Sequence, residues 1–326
     1  MSKVRWGILS TASISSSFIK AIKKSDMAEV VAVASRYKSS ADAWARQYDI
    51  PRSFPSYEGM LSYKEMDAVY IPLPNSLHAQ WAIKALKAGF PVLCEKPIAV
   101  NAIEAQQISE AAKECNLPVA EGFMYRFHPL FDKVQELIAD GQIGDITSIH
   151  SKFTYMLDNP GEIPASKELA GGSLMDIGCY SINLSRLISG SEPLRVTAIE
   201  RRNDVDETMF GILDFPSGIL ASFECSISNF ERHRAEISGT KGSIVIDDPW
   251  IPGCQNTSFM VFREEQAAEQ IVVNGNDAYL LEIEDFSKVV AGQKAPRWPI
   301  EDAVNNMKVI DALFESARTN QVTEVK

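Results

Sequence analysis

The stretch RWGILSTASISSSFIKAI, residues 5–22, joins an apolar run to a helical pattern through a segment of small residues. The apolar run ends at Leu9, and Phe18, Ile19 and Ile22 then recur at the spacing of one buried helix face. A strand that turns abruptly into a helix is typical of parallel βαβ units. The stretch therefore predicts a parallel sheet in the amino-terminal part of the chain.

Small residues occupy the three positions of this turn where a G-x-G-x-x-G motif has glycines, namely Ser10, Ala12 and Ser15. Small side chains still let the backbone approach a pyrophosphate, and hydroxyl groups near a helix N-terminus can donate hydrogen bonds to it. The cofactor-binding residues predicted here are Ser10, Thr11, Ala12, Ser13 and Ile14. A tight turn capped by serines, without a ligand, is the alternative.

The sequence pattern divides the chain into two parts near residue 122. In the first part, apolar segments alternate with amphipathic helices, which indicates a doubly wound parallel sheet. Its strands are predicted at 4–9, 29–34, 67–72, 91–94 and 118–121, with helices such as 78–88 and 101–114. We predict an α/β fold with one domain over residues 1–122 and another over 123–326.

The second part has a different periodicity. In GILASFECSISNF, residues 218–230, apolar residues alternate singly with polar ones, which indicates antiparallel strands with one buried face. FPSGI and SGTKGSIVI are typical of hairpin turns. Helices are predicted at 173–188 and 299–318. The second domain is therefore predicted to be α+β with a large, mostly antiparallel sheet.

Composition restricts the class of protein. With 326 residues, of which 45% are hydrophobic, the chain can bury two cores, and a net charge of -11 argues against a nucleic acid partner. We find no signal peptide and no apolar run near the roughly 20 residues that span a bilayer, so we expect a cytoplasmic protein without a membrane partner. The spacing of the cysteines and histidines predicts neither disulfides nor a metal site.

Ligands of an open parallel sheet bind beyond the carboxyl ends of its strands. Ser35, Arg36 and Lys38 follow the second predicted strand, with no acidic residue before Asp42. This favours the 2′-phosphate of NADP over the free ribose of NAD, although a solvated basic turn is the alternative. Further cofactor-binding residues are predicted after the next two strands, namely Pro72, Leu73, Asn75, His78, Glu95 and Lys96. For Asn75 and His78 a purely structural role is also open.

The segment GFMYRFHP, residues 122–129, follows the fifth predicted strand. We predict substrate contacts for Tyr125, Arg126 and His128, because Arg126 and His128 can hydrogen-bond sugar hydroxyls. Packing of the aromatic residues is the alternative.

A series of motifs, in this order, makes the chain resemble the glucose-fructose oxidoreductase/inositol dehydrogenase (Gfo/Idh/MocA) family over essentially its whole length. The motifs are GILSTA (7–12), ASR (34–36), IPLPNSLH (71–78), EKP (95–97), GFMYRFHP (122–129) and GGSLMDIGCYSIN (171–183). The chain looks most similar to the branch with NADP-dependent xylose dehydrogenases and dimeric dihydrodiol dehydrogenases. The resemblance implies an NAD(P)-dependent oxidoreductase with a Rossmann domain and a carboxy-terminal domain whose sheet mediates assembly into a homodimer or homotetramer.

The resemblance also implies catalytic residues, namely Lys96, Asp176 and Tyr180, of which the last two would also bind substrate, and a cis peptide before Pro97. Because the inositol dehydrogenase branch has histidine at the position of Tyr180, inositol substrates are not favoured. A phenol with an ordinary pKa near 10 is a poor base, but a nearby ammonium group lowers that pKa. A surface ion pair at Lys96, a core tyrosine at Tyr180 and a helix brace at Asp176 are the alternatives.

These features together predict an NADP-dependent oxidoreductase, with NAD also possible. It would transfer a hydride between nicotinamide and a sugar or cyclic polyol or diol, with Tyr180 as acid/base assisted by Lys96. A dihydrodiol or dicarbonyl reductase and a regulator that binds NADP(H) without turnover are the alternatives. The open face of the second sheet is predicted either to bind another copy of the chain or to be polar and exposed.

Overall fold

The computed structural model describes residues 3–159 and 161–326. Its strands are β1 Val4–Leu9, β2 Ala28–Ala34, β3 Arg52–Phe54, β4 Ala68–Ile71, β5 Val92–Glu95, β6 Val119–Gly122, β7 Ile146–Met156, β8 Arg195–Arg202, β9 Asp206–Asp214, β10 Leu220–Ser226, β11 Ser228–Gly239, β12 Gly242–Ile246, β13 Thr257–Arg263, β14 Glu269–Val273 and β15 Thr323–Glu324. Its helices are α1 Ser13–Ile22, α2 Lys38–Tyr48, α3 Tyr57–Leu61, α4 Asn75–Lys87, α5 Ala102–Cys115, α6 Pro129–Ala139, α7 Cys179–Ser189, α8 Ala278–Val290 and α9 Ile300–Thr319, with short 3-10 turns at Met124–Phe127 and Ile163–Ala165.

The first six strands form a parallel sheet, described here with the order β3-β2-β1-β4-β5-β6. This is the Rossmann order, in which the direction of winding reverses between β1 and β4 and leaves a crevice at their carboxyl ends. The predicted doubly wound sheet is confirmed. The edge strand β3 was not predicted, because three residues are too short to show a periodicity.

Aromatic packing fixes α1 against this sheet. Phe18 of α1 stacks on Tyr70 of β4 with ring centroids 4.0 Å apart and meets Trp6 of β1 edge-on at 5.4 Å. All three side chains are buried. Burying a large apolar side chain contributes about 1.5–3 kcal/mol. The turn between β1 and α1 is therefore held by packing on both sides.

A late segment belongs to the same compact unit as the Rossmann sheet. The residues up to Met124 are grouped with Tyr279–Val304, and a second unit contains Tyr125–Ala278 and Asn305–Lys326. Phe286 of α8 packs 5.9 Å from Trp6, whose indole N–H donates to Ser287 at 3.2 Å. The predicted boundary at residue 122 assigned residues 279–304 to the second domain, because periodicity does not tell which sheet a helix covers.

The second unit contains a sheet whose described strands have the order β14-β13-β12-β11-β7-β10-β9-β8-β15. Only the pair β7 and β10 is parallel among these described neighbours, which agrees with the predicted mostly antiparallel sheet. The alternation in β10 buries Ala221, Phe223 and Cys225 and leaves Leu220 about half exposed. Both predicted hairpin turns are present, between β9 and β10 and between β11 and β12.

The helix predicted over 173–188 has an irregular beginning. Its first turn, Leu174–Gly178, is π-helical, and α7 continues from Cys179. Gly178 lies against β10, where a Cβ atom would be 2.8 Å from the Cys225 Sγ. A π turn inside a helix often occurs at a functional site.

Two features are absent from the described residues, a membrane-spanning helix and a cluster of metal ligands. In the parts of the chain that the structure describes, no helix is long and apolar enough to cross a membrane. Within those residues, no group of three or more His, Cys, Asp or Glu side chains is placed to hold a metal ion.

Candidate active site

The turn after β1 leaves the amino end of α1 without a side-chain cap. Ala12 is the N-cap residue and makes no side-chain hydrogen bond, and the first turn contains no acidic residue. The Ser10 hydroxyl accepts from the Ala12 N–H at 3.0 Å, while Ser15 is buried beneath the turn. The side chains of Thr11 and Ile14 are half-buried and that of Ser13 is exposed. This end of α1 can therefore receive an anionic group.

The turn after β2 carries the two predicted cations in different environments. Lys38 is 2.9 Å from a carboxylate oxygen of Asp42, so its charge is compensated. Arg36 is exposed and lies close to the hydroxyl group of Tyr57. Burial raises the pKa of Tyr57, and the positive charge of Arg36 acts against this increase. Arg36 is thus the better candidate for binding a phosphate, with Ser35 buried directly before it.

His78 connects the loops after β4 and β5, at the carboxyl edge of the parallel sheet, through hydrogen bonds. Its ring is fully buried, with Nε2 at 2.6 Å from the carbonyl oxygen of Leu73 and Nδ1 at 2.8 Å from that of Pro97. Burial lowers the pKa of His78. Because both ring nitrogens face backbone carbonyls, the structural role that the sequence left open for His78 fits better than a cofactor contact. The neighbouring predicted residues Pro72 and Asn75 are also buried.

Lys96 follows β5 and precedes a cis peptide to Pro97, as the resemblance implied. Its side chain is half-buried beside Glu95. Burial raises the pKa of Glu95, while Tyr70, whose hydroxyl donates to the Glu95 carboxylate at 2.5 Å, and the ammonium group of Lys96 act against this increase. The strand end therefore holds a partly accessible cation next to a half-buried carboxylate.

Glu121, at the end of β6, was missed as a site residue by sequence reasoning. Its side chain is buried, and its Oε1 accepts from the backbone N–H of Ile98 at 2.8 Å. Glu121 thus fixes the segment that follows the cis peptide. Its position at a strand end, directly before the GFMYRFHP motif, was the available signal.

Asp176 and Tyr180 lie in the second unit, on the π-helical turn and the first turn of α7. The hydroxyl group of Tyr155 donates to Asp176 Oδ2 at 2.6 Å. The ring of Tyr180 is 7% exposed and has three aromatic neighbours with centroids 5.6 to 5.9 Å away. They are Phe153, Tyr125 and Trp250. The phenol is therefore fixed in an apolar setting, where a nearby charge acts more strongly than in water.

The remaining predicted substrate residues are buried. Tyr125 is inaccessible and its hydroxyl donates to the Asn183 side chain at 2.7 Å. His128 caps α6 by accepting from the backbone N–H of Leu130 at 3.1 Å, and burial lowers its pKa. Tyr125 thus packs in the core and His128 caps a helix, and contacts of both with substrate stay predictions. Arg126 is also buried, and its contact with substrate stays a prediction.

Comparison with known proteins agrees with this arrangement. Residues 4–123 match the model of the oxidoreductase family with an NAD-binding Rossmann fold, GFO/IDH/MocA, and residues 131–245 match the GFO/IDH/MocA C-terminal domain. The chain is 36% identical over 325 residues to a D-xylose 1-dehydrogenase (NADP(+)) of Haloferax volcanii, covering 98% of this chain and 99% of that one.

The chain is also similar to two other oxidoreductases. A trans-1,2-dihydrobenzene-1,2-diol dehydrogenase of Sus scrofa is 35% identical over 76% of each chain. A 3-ketoreductase of Actinomadura kijaniata, solved with NADP and TDP-benzene, is 28% identical and superimposes with a TM-score of 0.92 over 96% of this chain and 98% of that one. Both family models match, and the relative from Haloferax volcanii is 36% identical along nearly the whole chain. These matches establish that the protein belongs to the GFO/IDH/MocA family of oxidoreductases.

Proposed function

We propose that the protein is an NADP-dependent dehydrogenase or reductase that acts on a sugar or a related cyclic diol. The observation that carries this proposal is the carboxyl edge of the Rossmann sheet. It combines the uncapped amino end of α1 with Arg36 after β2 and Lys96 after β5. The end of α1 suits the pyrophosphate of the dinucleotide, Arg36 suits the 2′-phosphate, and Lys96 suits the reacting oxygen of the substrate.

Selectivity for NADP is supported by the turn after β2. The amino end of α2 has no side-chain cap and no acidic residue in its first turn, and the exposed guanidinium of Arg36 lies beside it. A carboxylate that would accept hydrogen bonds from the ribose of NAD does not occur between Ser35 and Ala41. The names of the relatives from Haloferax volcanii and Actinomadura kijaniata also include NADP.

The proposed reaction combines a hydride transfer with a proton transfer. Bound NADP would accept a hydride from a carbinol carbon, or NADPH would return it to a carbonyl. Tyr180 takes the hydroxyl proton during oxidation and gives it back during reduction, and the ammonium group of Lys96 stabilises the negative charge on oxygen. Asp176 orients the substrate from the turn that precedes Tyr180.

A nicotinamide absorbance assay tests the proposal. The purified protein is supplied with NAD or NADP and with D-xylose, other aldoses or trans-cyclohexane-1,2-diol. Tyr180→Phe and Lys96→Met should each reduce turnover by about 100-fold or more, as expected for loss of general acid-base catalysis. Tyr63→Phe and Lys87→Met, which change a tyrosine and a lysine elsewhere on the Rossmann unit, are the controls. Folded Tyr180→Phe and Lys96→Met variants with full turnover would show that the roles are wrong.

The same assay distinguishes the other functions. The relative from Sus scrofa is named a dihydrodiol dehydrogenase, so preference for an aromatic or cyclic diol over xylose would favour that activity. NADPH binding in a fluorescence titration, without turnover of any substrate in the absorbance assay, would favour a regulator.

We also propose that another copy of the chain covers the open face of the second sheet. Large apolar side chains on β8, β9 and β10 are exposed there, and a shallow cavity of about 380 Å³ lies among them. The four side chains and their exposures are Ile199 73%, Phe210 55%, Ile212 48% and Leu220 51%, of which the first three line the cavity. Ile199 lies directly opposite Phe210 in the ladder, so these two form one continuous patch. A patch of this kind is typical of a protein interface.

A further inference from the structure

Asp206, the first residue of β9, contacts the beginning of the segment that carries Asp176 and Tyr180. Its Oδ2 accepts from the Ser173 hydroxyl at 2.9 Å and from the Leu174 backbone N–H at 2.7 Å. Both donors lie at the start of the π-helical turn. One carboxylate therefore holds the first residues of this turn through two hydrogen bonds.

The backbone beside this carboxylate is shaped to accommodate it. Gly172 has φ +109°, a conformation that residues with a side chain rarely adopt. A Cβ atom on Gly172 would lie 2.0 Å from Asp206 Oδ1, so a side chain there would displace the carboxylate. The carbonyl of the same glycine accepts from the Asp176 N–H at 2.9 Å. Gly172 thus connects the carboxylate contact directly to the residue proposed to orient the substrate.

Asp206 is a buried carboxylate with a raised pKa. The residue is 1% exposed, and burial raises its pKa to about 6, with the two hydrogen bonds and the charge of Arg202 acting in the opposite direction. A buried carboxylate costs free energy unless its hydrogen bonds compensate for lost hydration. A helix-starting amide can be capped equally well by an exposed serine or threonine. A buried carboxylate is therefore a less favourable helix cap than an exposed serine or threonine, which suggests a role for Asp206 besides stability.

We propose that Asp206 is a positioning residue for the reaction of this enzyme. By holding Ser173 and Leu174, it fixes the orientation of the π-helical turn and hence the places of the Asp176 carboxylate and the Tyr180 hydroxyl. This inference rests on the proposed function, because Asp176 and Tyr180 have no task in a protein without turnover. Asp206 itself touches neither substrate nor cofactor in this proposal.

The test compares Asp206→Ala, Asp206→Asn and Ser173→Ala with the unchanged protein. Asp204→Ala, which alters an exposed acidic residue two positions away, is the matched control. Turnover is measured with NADP and the substrate that the screen identifies, NADPH affinity by fluorescence titration, and folding by thermal unfolding. The pH dependence of kcat is recorded for each folded variant.

Loss of the carboxylate should lower kcat by about 100-fold in Asp206→Ala, the scale of a misplacement of about 1 Å in an active site. The affinity for NADPH should change by less than about twofold, because the nucleotide residues belong to the Rossmann unit. Asp206→Asn should recover most of the loss, since the amide oxygen still accepts both hydrogen bonds. Ser173→Ala should lower kcat by a smaller factor and Asp204→Ala should leave it unchanged.

The outcomes separate this inference from the proposed function. If the unchanged protein binds NADPH but turns over no substrate, both are wrong. If it is active and folded Asp206→Ala keeps its kcat, only the positioning role is wrong. Should Asp206→Ala fail to fold, full kcat in Ser173→Ala together with a lowered kcat in Asp206→Asn would overturn the role, because hydrogen-bond geometry would then not be the cause.

Discussion

The Tyr155 hydroxyl donates a 2.6 Å hydrogen bond to the Asp176 carboxylate, which joins the end of β7 to the π-helical turn. Two different strands therefore hold this turn, since Asp206 of β9 contacts its backbone while Tyr155 contacts its side chain. A carboxylate with a fixed rotamer can address a substrate hydroxyl at lower entropic cost than a mobile one. The sheet of the second unit thus serves the proposed site as well as the core.

Removing this contact should reduce both turnover and stability. Tyr155→Phe deletes one charge-assisted hydrogen bond, worth about 1.5–3 kcal/mol, and should lower kcat/KM by roughly 10-fold to 100-fold. Steady-state kinetics and thermal unfolding are the measurements. The control is Tyr63→Phe, which removes an exposed hydrogen bond to Glu65. If kinetics of the two variants agree, Tyr155 does not orient Asp176 for the reaction.

Asp206 should make stability depend on pH. Its pKa is about 6 in the folded protein and 3.8 is the ordinary value, so its stabilising contribution is present below about pH 3.8 and is lost as the pH rises through 6. The loss is on the order of 3 kcal/mol. Asp206→Asn lacks this titration. Urea unfolding should therefore show the variant gaining stability relative to the unchanged protein between about pH 4 and pH 6.5. A constant difference would contradict the burial of this carboxylate.

The two basic residues after β2 should contribute unequally to selectivity. Arg36→Ala should lower kcat/KM for NADP by about 10-fold to 100-fold and leave that for NAD nearly unchanged, because a charge-assisted hydrogen bond to the 2′-phosphate is lost. Lys38→Met should have a smaller effect, since Asp42 already compensates the Lys38 charge. Parallel kinetics with both nucleotides measure this. Equal losses with NAD and NADP would mean that Arg36 does not recognise the phosphate.

The packing of α8 against the Rossmann sheet should contribute much of the stability of that unit. Trp6→Ala creates a cavity among Phe18, Phe286 and their neighbours and should cost about 3–5 kcal/mol of unfolding free energy. Ser287→Ala leaves the buried indole N–H without this acceptor and should cost about 1–3 kcal/mol. Denaturant unfolding measures both. A negligible loss in Trp6→Ala would contradict this packing.

Charge on the apolar patch of the second sheet should prevent self-association. Phe210→Glu places a carboxylate opposite Ile199, and a buried unpaired charge costs several kcal/mol at an interface. Light scattering should show an oligomer for the unchanged protein and a monomer for this variant. Ile103→Glu, at a residue 71% exposed on α5, is the control and should remain oligomeric. An unchanged oligomer in Phe210→Glu would mean that another surface mediates assembly.

Local patterns determined most of the fold. Strands and helices of the Rossmann unit follow from runs of apolar residues and their periodicity, and the edge of the sheet that carries Arg36 and Lys96 follows from the rule that parallel strands share their carboxyl ends. The family resemblance added roles for Asp176 and Tyr180, which periodicity does not provide. The sequence also left structural roles open for His78 and Tyr125, and the contacts of both fit those roles.

Tertiary structure decided which distant residues support these groups. Tyr155 and Asp176 are 21 positions apart, Ser173 and Asp206 are 33 apart, and Trp6 and Ser287 are 281 apart. Such pairs leave no mark on periodicity, because hydrogen-bond partners across a sheet are set by register and by the path of the chain. The sequence by itself therefore determined the type of site and its edge of the sheet, whereas only the folded chain decided how its side chains are held.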